Sequence, residues 1–210
     1  MHQYKGKLIL HCGSMFSGKT SALFREVNRF LIAEYRVLAT KPKFDQRYSN
    51  SDIVTHDKIS LKAQIFDSID ELRRLVYKND PEVLAIDEIH FLEQQKDELC
   101  DFLNELLASG ITIVIAGLDM DYLGVPFEIT KNIFGMSDYV NKHHAVCASC
   151  GSDAWISHRK IKNSDRMLLG AEDYYTPLCR ACYLKERENK DAYVYKNQID
   201  INEIGGEYDY

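Results

Sequence analysis

The amino-acid sequence predicts an α/β protein, in which a parallel β-sheet carries helices on its faces and a small cysteine-rich unit follows. Short apolar runs alternate with amphipathic stretches over the first 140 residues, which is typical of βαβ units with parallel strands. A glycine-containing segment at 13–20 separates the first apolar run from the first amphipathic stretch, and two Cys-x-x-Cys pairs come after residue 143. In such a sheet, ligands bind beyond the carboxyl ends of the strands.

A strand and a helix flank the glycine-containing segment. Residues 7–12, with the sequence KLILHC, form the predicted strand. After the segment, Leu23, Val27, Phe30 and Leu31 recur at i, i+4, i+7 and i+8, which is the spacing of one helix face. The segment therefore lies between a predicted strand and a predicted helix.

Further strands and helices follow in alternation. Apolar runs predict strands at 36–40, 83–86 and 112–116, and the last two are continuous enough to be buried on both faces of a parallel sheet. A capping box formed by Ser68 and Glu71 predicts a helix that runs to about residue 79. The next amphipathic helix carries the apolar residues Leu99, Phe102, Leu103, Leu106 and Leu107.

The segment at 13–20 matches the phosphate-binding P-loop pattern G-x-x-x-x-G-K-[ST]. Its residues are Gly13, Ser14, Met15, Phe16, Ser17, Gly18, Lys19 and Thr20. In such a loop the backbone N–H groups surround the phosphates, the lysine reaches the β and γ oxygens, and the threonine hydroxyl can bind Mg²⁺. The following helix N-terminus adds positive potential. A chance match in a glycine-containing turn is the alternative, and the strand and helix on either side disfavour it.

Two carboxylates follow the apolar strand at 83–86. Asp87 and Glu88 there resemble a Walker-B arrangement, in which the aspartate holds Mg²⁺. Neighbouring side chains of an ideal strand point to opposite faces, so Glu88 is free to act as a general base on an attacking hydroxyl or water. The pair does not decide between those two acceptors, and a surface carboxylate pair at a strand end remains the alternative.

The cysteines are spaced as metal ligands. Cys147, Cys150, Cys179 and Cys182 form a C-x₂-C…C-x₂-C pattern, which suits tetrahedral Zn²⁺ in a closed structural site. Two separate redox or buried pairs remain an alternative, and a histidine at 143 or 144 would be able to replace one cysteine. We interpret Cys12 and Cys100 as small buried residues. The stretch at 151–178 is expected to be a long loop that the metal pins at both ends.

Composition limits the partners and the location of the chain. Its 210 residues are 45% hydrophobic and 28% charged, with a formal net charge of −6, so the sequence predicts no nucleic-acid polymer as main partner. Neither a signal-peptide core nor an apolar run of about 18 residues is present, so we expect no membrane association and a cytoplasmic location.

Three regions are predicted: a nucleotide-binding α/β domain at 1–142, a zinc-binding domain at 143–192 and a tail at 193–210.

Taken together, these motifs resemble the type II (tetrameric, zinc-containing) thymidine kinase family. The resemblance covers roughly residues 5–185. It depends on the order and spacing of GSMFSGKT, the Asp45–Ser49 segment, DEIHF at 87–91, AGLDMDYLGVPF at 116–127, LGAEDYY at 169–175 and CRACY at 179–183. This combination is much more specific than the P-loop alone.

The resemblance implies transfer of the ATP γ-phosphate to the 5′-hydroxyl of thymidine, and also of deoxyuridine, in the salvage of DNA precursors. It implies Glu88 as the general base, with Lys19, Thr20 and Asp87 serving phosphate and Mg²⁺, and Arg47 stabilising charge during transfer. The remaining residues that the resemblance assigns to the ATP and Mg²⁺ site are Asp45, Gln46, Ile89 and His90. A homotetramer and feedback inhibition by thymidine triphosphate are further implications.

The resemblance also implies a thymine pocket and a loop, the lasso, that the zinc holds over it. The pocket residues are Phe91, Leu118, Tyr122 and Phe127. The lasso residues are Arg166, Met167, Leu168, Leu169 and Gly170, together with Tyr175, and in the family main-chain groups of the lasso bond the base edge. From the sequence alone, an ordinary core position is the commoner interpretation of each aromatic residue.

Two positions depart from the family pattern. Gln is common where this chain has His90, and a histidine there is able to change the hydrogen bonding of the pocket or its pH dependence. A buried structural histidine is the alternative. Phe is usual where this chain has Tyr122, whose added hydroxyl needs a partner if it is buried. Neither change removes a group needed for phosphoryl transfer.

Three other functions are compatible with parts of the pattern. A P-loop NTPase or switch protein with a structural zinc would hydrolyse ATP or GTP, but the sequence at 141–144, NKHH, lacks the aspartate of a guanine-reading Asn-Lys-x-Asp motif. A different nucleoside or nucleotide kinase is the second. A zinc-ribbon binding module is the third, and it would not need both nucleotide motifs.

Overall fold

The structure, a computed structural model, describes residues 5–43, 52–54, 60–161, 165–168 and 174–188. Among the predicted site residues, Asp45, Gln46, Arg47, Leu169 and Gly170 lie outside this set, as does the tail at 193–210. Within the described ranges, no helix combines the length and the apolar character that crossing a bilayer requires.

Six parallel strands form the central sheet, in the order β5-β2-β6-β7-β1-β8. They are β1 (Leu8–Gly13), β2 (Val37–Pro42), β5 (Gln64–Phe66), β6 (Val83–Ile86), β7 (Thr112–Leu118) and β8 (Tyr139–His143). Two short strands, β3 (Asp52–Val54) and β4 (Ser60–Lys62), pair with each other outside the sheet. The three predicted strands and the first one are therefore confirmed, with boundaries shifted by one or two residues.

Helices cover both faces of the sheet, which confirms the predicted fold class. They are α1 (Lys19–Ile32), α2 (Ile69–Asn79), α3 (Lys96–Ala108), α4 (Glu128–Met136) and a 3₁₀ helix (Ile89–Gln95). Helix α1 packs on one face, whereas α2, α3, α4 and the 3₁₀ helix pack on the other. This arrangement places two separate hydrophobic cores, one on each side of the sheet.

Strand alternation explains how the sheet serves both cores. In β6, Leu84 and Ile86 join the core beneath α2, α3 and α4, while Val83 and Ala85 join the core beneath α1. All four side chains are buried, as expected for a strand covered on both faces. The run at 83–86 is apolar at every position because its alternate side chains enter two different cores.

The capping box at the start of α2 is present with a small change. Ser68 Oγ accepts a hydrogen bond from the backbone N–H of Glu71 at 3.2 Å. The Glu71 carboxylate accepts from the backbone N–H of Asp67 at 3.0 Å, one residue before the cap. The pair therefore satisfies two backbone donors at the helix N-terminus, as the motif predicts.

The predicted helix after the P-loop is present as α1, and Leu31 is the exposed member of its apolar face. The Leu31 side chain is 44% exposed, whereas Leu23, Val27 and Phe30 are buried. At about 100° per residue, Leu31 lies roughly 80° around the helix from Leu23. It therefore stands at the edge of the stripe that faces the sheet.

The sequence analysis did not predict β3, β4, β5, β8, α4 or the 3₁₀ helix. Strand β8 extends the sheet beside β1 and runs through His143, and its residues are mostly exposed. Polar residues such as Asn141 and Lys142 are common in edge strands. Because of them, β8 is not a continuous apolar run and the sequence did not predict it. Helix α4 begins after Phe127 and carries the buried residues Ile129 and Ile133.

The stretch at 151–178 is not the long loop that the sequence predicted. Strands β11 (Ile156–Arg159) and β12 (Tyr175–Leu178) pair antiparallel within it, and β9 (Ala145–Val146) pairs with β10 (Asp153–Ala154). A helix, α5, covers 180–188. A small core joins this cysteine-rich unit to Phe16 of the P-loop. Backbone hydrogen bonding between strands, which motif spacing does not reveal, therefore shortens the loop.

Candidate active site and metal centre

The P-loop begins and ends with glycines that no other residue can replace easily. Gly13 has a φ of 142°, and a Cβ there would collide with the backbone oxygen of His143 on β8. Gly18 has a φ of 79° and precedes the first residue of α1. These left-handed conformations favour glycine, and they turn the chain from β1 into α1 at the carboxyl edge of the sheet.

The loop presents groups that suit a phosphate. Lys19 is buried, and its Nζ donates to the backbone oxygen of Ser14 at 2.7 Å. Among the described residues, the hydroxyls of Ser14 and Ser17 are buried without a hydrogen-bond partner, although buried polar groups are normally paired. The first turn of α1 contains no acidic residue. The N-terminus of α1 therefore offers positive potential and unsatisfied polar groups to an anion.

A hydroxyl and a carboxylate meet beside the loop. Thr20 Oγ1 donates to Asp87 Oδ1 at 3.4 Å, and the same oxygen accepts the backbone N–H of Glu88 at 2.9 Å. Mg²⁺ in nucleotide sites is commonly held by one or two such oxygen ligands together with phosphate oxygens. Residue types and position therefore fit a Mg²⁺–nucleotide complex.

Glu88 lies beyond the strand in a left-handed conformation. Strand β6 ends at Ile86, and Glu88 has a φ of 54°, so the strand alternation expected for the pair at 87 and 88 does not set its direction. A non-glycine residue in this region stores strain, which clusters at functional sites. The carboxylate is mostly buried, and its Oε2 lies 3.5 Å from Nδ1 of His90.

His90 is buried at the entrance to an aromatic pocket. Its Nδ1 lies 3.3 Å from the backbone N–H of Leu118, which donates to it. Its ring centroid is 4.4 Å from that of Phe91 and 5.4 Å from that of Phe127. The residue therefore links the Glu88 carboxylate to the aromatic side chains.

The pocket itself brings together most of the predicted substrate residues. It encloses about 430 Å³ between protein atoms, part of which is open to solvent. Its predicted members are Phe91, Leu118, Tyr122, Phe127, Arg166, Met167, Leu168 and Tyr175, and Met15, His90, Met120, Asp121 and Ser157 also line it. Residues from the 3₁₀ helix, β7, the following turn and the lasso therefore converge on one cavity.

The four paired cysteines form one cluster. Their sulfur atoms all lie within 4.8 Å of one another, and Cys150 Sγ is 3.6 Å from Cys179 Sγ. Sulfur atoms around a tetrahedral Zn²⁺ with bonds near 2.3 Å would be about 3.8 Å apart. The backbone N–H of Cys182 donates to Cys179 Sγ at 3.4 Å. This bond, together with smaller contributions from the side chains of Ser152, Cys182 and Cys150, lowers the pKa of Cys179 to about 6. The cluster thus fits a metal such as zinc.

The histidines that were candidate replacements have other partners. His143 Nε2 lies 3.0 Å from Nδ1 of His11 on β1, and Nδ1 of His144 lies 3.2 Å from the backbone oxygen of Ala154. Among the described residues, the metal cluster consists of cysteines alone. Cys12 is buried as predicted, and Cys100 is half-buried.

A family model described as thymidine kinase matches residues 6–183 of the chain. The chain belongs to the thymidine kinase family. The resemblance identified from its motifs is thereby confirmed. The thymidine kinase of Bacteroides thetaiotaomicron is 42% identical over 183 residues, which cover 87% of this chain and 89% of that protein. The thymidine kinase of Rhodothermus sp. is 39% identical over 176 residues, which cover 84% of this chain and 80% of that protein.

One solved structure with a similar arrangement is domain III of the Thermotoga maritima replication initiation protein DnaA. The TM-score is 0.42 and the sequence identity is 19%, over 68% of this chain and 56% of that chain.

In this thymidine kinase family member, a buried arginine that the sequence analysis missed anchors the lasso. Arg159, on β11, donates to the backbone oxygens of Asp165 and Arg166 and, at 2.7 Å, to the Tyr175 hydroxyl. The Tyr175 hydroxyl in turn donates to the backbone oxygen of Leu168 at 3.2 Å. Nothing in the sequence distinguishes Arg159 from a surface arginine.

The same arginine also touches the predicted pocket. Its Cζ lies 3.8 Å from the ring centroid of Tyr122, a distance typical of a cation–π contact. Arg159 therefore connects the lasso to the turn that follows β7.

The cysteine-rich unit is tied directly to the phosphate loop. The backbone N–H of Met15 donates to Ser157 Oγ at 2.8 Å, and both residues line the aromatic pocket. Phe16, which has a φ of 64°, packs against the core of the unit. The metal cluster therefore supports one wall of the pocket as well as the lasso.

Proposed function

We propose that this chain transfers the γ-phosphate of ATP to the 5′-hydroxyl of thymidine. The observation that carries this proposal is the junction of two sites. Met15 belongs to the P-loop and lines the aromatic pocket, and His90 lines that pocket within 3.5 Å of the Glu88 carboxylate. A nucleoside in the pocket would therefore present its sugar to the carboxylate that lies beside the phosphate site.

The family match and the named relatives support thymidine as the acceptor. Aromatic rings of Phe91, Tyr122 and Phe127 offer apolar surface to a planar base, and residues 166–168 line the same pocket. Deoxyuridine differs from thymidine by one methyl group, and we propose it as a second acceptor. A missing methyl in an apolar pocket changes discrimination only by about 10- to 200-fold.

The residues divide into phosphate, metal and proton-transfer roles. We assign the P-loop and Lys19 to the phosphates, and Thr20 and Asp87 to Mg²⁺, which would neutralise charge between the phosphate oxygens when bound. Glu88 receives the proton of the nucleoside hydroxyl. By resemblance, Asp45, Gln46 and Arg47 complete the phosphate side. A lasso closed over the bound nucleoside would keep water from the phosphate and favour transfer over hydrolysis.

Further properties stay predictions. The cysteine pattern predicts that the cluster holds a structural Zn²⁺, and the composition predicts a cytoplasmic location. By resemblance, the assembly would be a homotetramer that thymidine triphosphate inhibits. The division into regions at 1–142, 143–192 and 193–210 also stays a prediction. The P-loop contact of Ser157 makes the metal unit a structural part of the nucleotide site.

One assay tests the proposed activity. The purified chain is incubated with ATP, Mg²⁺ and each of several nucleosides, and nucleoside monophosphate is measured together with released phosphate. We expect thymidine monophosphate as the main product and little phosphate release without a nucleoside. Phosphate release that does not depend on a nucleoside would instead indicate an NTPase. A preference for a nucleoside other than thymidine or deoxyuridine would contradict the assigned acceptor.

A further inference from the structure

One lasso residue, Arg166, has its charged group bound to residues that build the pocket. The Arg166 guanidinium donates through Nε to Asp121 Oδ2 at 2.9 Å and through Nη1 to Glu93 Oε1 at 2.9 Å. Its Nη2 donates to the backbone oxygen of Pro126 at 2.8 Å. Cζ also lies 4.6 Å from the ring centroid of Phe127. A planar guanidinium is suited to several acceptors at once.

Both carboxylates also accept hydrogen bonds from backbone N–H groups near the pocket. Asp121 Oδ1 accepts the backbone N–H groups of Leu123 and Val125 at 3.0 and 2.9 Å, which closes the turn between β7 and α4. Glu93 accepts the N–H groups of Glu128 and Ile129 at 3.1 and 3.0 Å, and so caps the N-terminus of α4. These backbone contacts hold the two carboxylates in place independently of Arg166.

The two carboxylates are buried, whereas the arginine that neutralises them is partly exposed. The side chains of Glu93 and Asp121 are 8% and 4% exposed, whereas that of Arg166 is 37% exposed. Two buried carboxylates therefore share the cation of one partly exposed side chain. Removal of one partner from such a group leaves buried charge without compensation, which is costlier than loss of a surface ion pair.

The network joins the lasso to two walls of the pocket. Glu93 belongs to the 3₁₀ helix that carries Phe91, and Asp121 starts the turn that carries Tyr122 and leads to Phe127. Residues 165–168 also contact Arg159 through their backbone, but those contacts come from β11. Arg166 alone, within the described part of the lasso, carries ion pairs to these two walls.

We propose that Arg166 is a positioning residue, which holds 165–168 against the pocket through Asp121 and Glu93 and so sets the affinity for the nucleoside. This inference rests on the proposed function. It assigns the side chain to the pocket walls, while the backbone oxygens of the same segment accept hydrogen bonds from Arg159 and Tyr175. The rate of phosphoryl transfer should depend on it much less, since the Thr20, Asp87 and Glu88 side chains take no part in the network.

Steady-state kinetics of Arg166→Gln test this assignment. We expect KM for thymidine to rise at least about 10-fold, as is usual when one member of a buried charge pair is removed. We expect kcat and KM for ATP to change little. Arg166→Lys keeps the charge but cannot reach all three acceptors at once. Its KM for thymidine should lie between that of the wild type and that of Arg166→Gln. A fall in kcat with KM for thymidine unchanged would overturn the proposal.

Asp121→Asn is the complementary variant. Its amide oxygen can still accept the turn N–H groups, while its NH₂ group replaces the oxygen that faces Arg166. In a double-mutant cycle, Arg166→Gln combined with Asp121→Asn should raise KM for thymidine by no more than the larger single effect, because the two changes remove the same contact. Fully additive effects on KM would contradict a shared network.

Arg36→Gln is the matched control. Arg36 also pairs with two carboxylates, Asp80 at 3.4 Å and Glu82 at 3.6 Å. It directly precedes β2, at the amino end of that strand, whereas the P-loop follows the carboxyl end of β1. We expect this variant to leave KM for thymidine unchanged. If both arginine variants lower the melting temperature equally and neither changes KM for thymidine, Arg166 is only a structural residue and the proposal fails.

A binding measurement separates this proposal from the proposed function. The chain contains one tryptophan, Trp155, whose ring packs beside Gly124 in the turn that Asp121 closes. Its fluorescence, titrated with thymidine without ATP, should give a dissociation constant at least about 10-fold weaker for Arg166→Gln. If the wild type binds thymidine but forms no monophosphate, the proposed function fails while this comparison still decides the role of Arg166.

Discussion

Thr20 Oγ1 lies 3.4 Å from Asp87 Oδ1, although 67 residues separate the two in the chain. The contact joins the first residues of α1 to the carboxyl end of β6, two strands away from β1 in the sheet. A hydroxyl and a carboxylate are thereby placed together where the phosphate loop ends. The same side-chain types serve Mg²⁺ in P-loop proteins.

Asp87→Asn should weaken the use of Mg²⁺ without disrupting the turn, because an amide oxygen can still accept the Glu88 N–H. We expect the Mg²⁺ concentration for half-maximal activity to rise at least about 10-fold. Activity measured across a Mg²⁺ series checks this. Asp80→Asn, which changes an exposed partner of Arg36, is the control. An unchanged Mg²⁺ dependence in Asp87→Asn would remove Asp87 from the metal site.

Glu88→Gln should lower kcat by about 10²- to 10⁴-fold, which is the usual contribution of a general base. ATP binding, measured by calorimetry, should persist because the P-loop is unchanged. Glu34→Gln is a suitable control, since Glu34 also has a positive φ, of 62°, but lies exposed after α1. Wild-type turnover in a folded Glu88→Gln protein would exclude the base role.

Cys179→Ser should remove the metal and destabilise the cysteine-rich unit. We expect about one zinc per wild-type chain, little zinc in the variant, and a melting temperature lower by more than about 5 °C. Because Met15 and Phe16 contact this unit, KM for ATP should also rise. Cys100→Ser, outside the cluster, should retain the metal. Equal zinc content in the two variants would contradict the site.

Stability should fall in mild acid because of the paired histidines on β1 and β8. Burial, with a smaller contribution from His143, lowers the pKa of His11 to about 4, and burial also lowers the pKa of His143. Below about pH 6.5 the unfolded chain therefore binds protons at these histidines that the folded chain does not bind. The contribution of the neutral histidines to folded-state stability is present above pH 6.5 and is lost as pH falls towards 4.

His11→Gln tests the acid effect. For His11 alone the loss should reach at most about 3 kcal/mol in the free energy of unfolding. Urea unfolding between pH 7 and pH 4 should show a shallower acid decline in His11→Gln than in the wild type. His144→Gln, which changes an exposed ring, should behave as the wild type does. An identical decline in all three proteins would refute the assignment to His11.

Tyr122→Phe should be tolerated, whereas Tyr122→Leu should not. The ring of Tyr122 carries the contact with Arg159, and Phe keeps a ring face for the cation. Loss of the ring should raise KM for thymidine roughly 3- to 30-fold, as expected for a cation–π contact of this kind. Comparison of KM in the two variants checks this. An equally large rise of KM in both variants would assign the role to the hydroxyl, which both substitutions remove.

Local patterns in the sequence predicted the chemical groups of the site. The P-loop pattern at 13–20 predicts phosphate binding through consecutive backbone groups, and its glycines hold the φ values that such a loop needs. Cys147 with Cys150, and Cys179 with Cys182, are sequential pairs whose sulfur atoms meet in one cluster that could hold a metal. Continuous apolar runs predicted β6 and β7 because both faces of those strands are buried. In each case the determining interaction lies within a few residues of the motif.

Only the tertiary structure decided how the pocket is held together. Arg166 meets Asp121 and Glu93 across 45 and 73 residues, and Met15 meets Ser157 across 142. Arg159 is buried among lasso carbonyls and tyrosine rings, yet its sequence context is that of any polar strand residue. These contacts exist because packing of the sheet, the 3₁₀ helix and the cysteine-rich unit brings distant segments together. Motif spacing carries no record of such long-range pairings, so it predicted the reacting groups and missed the residues that position them.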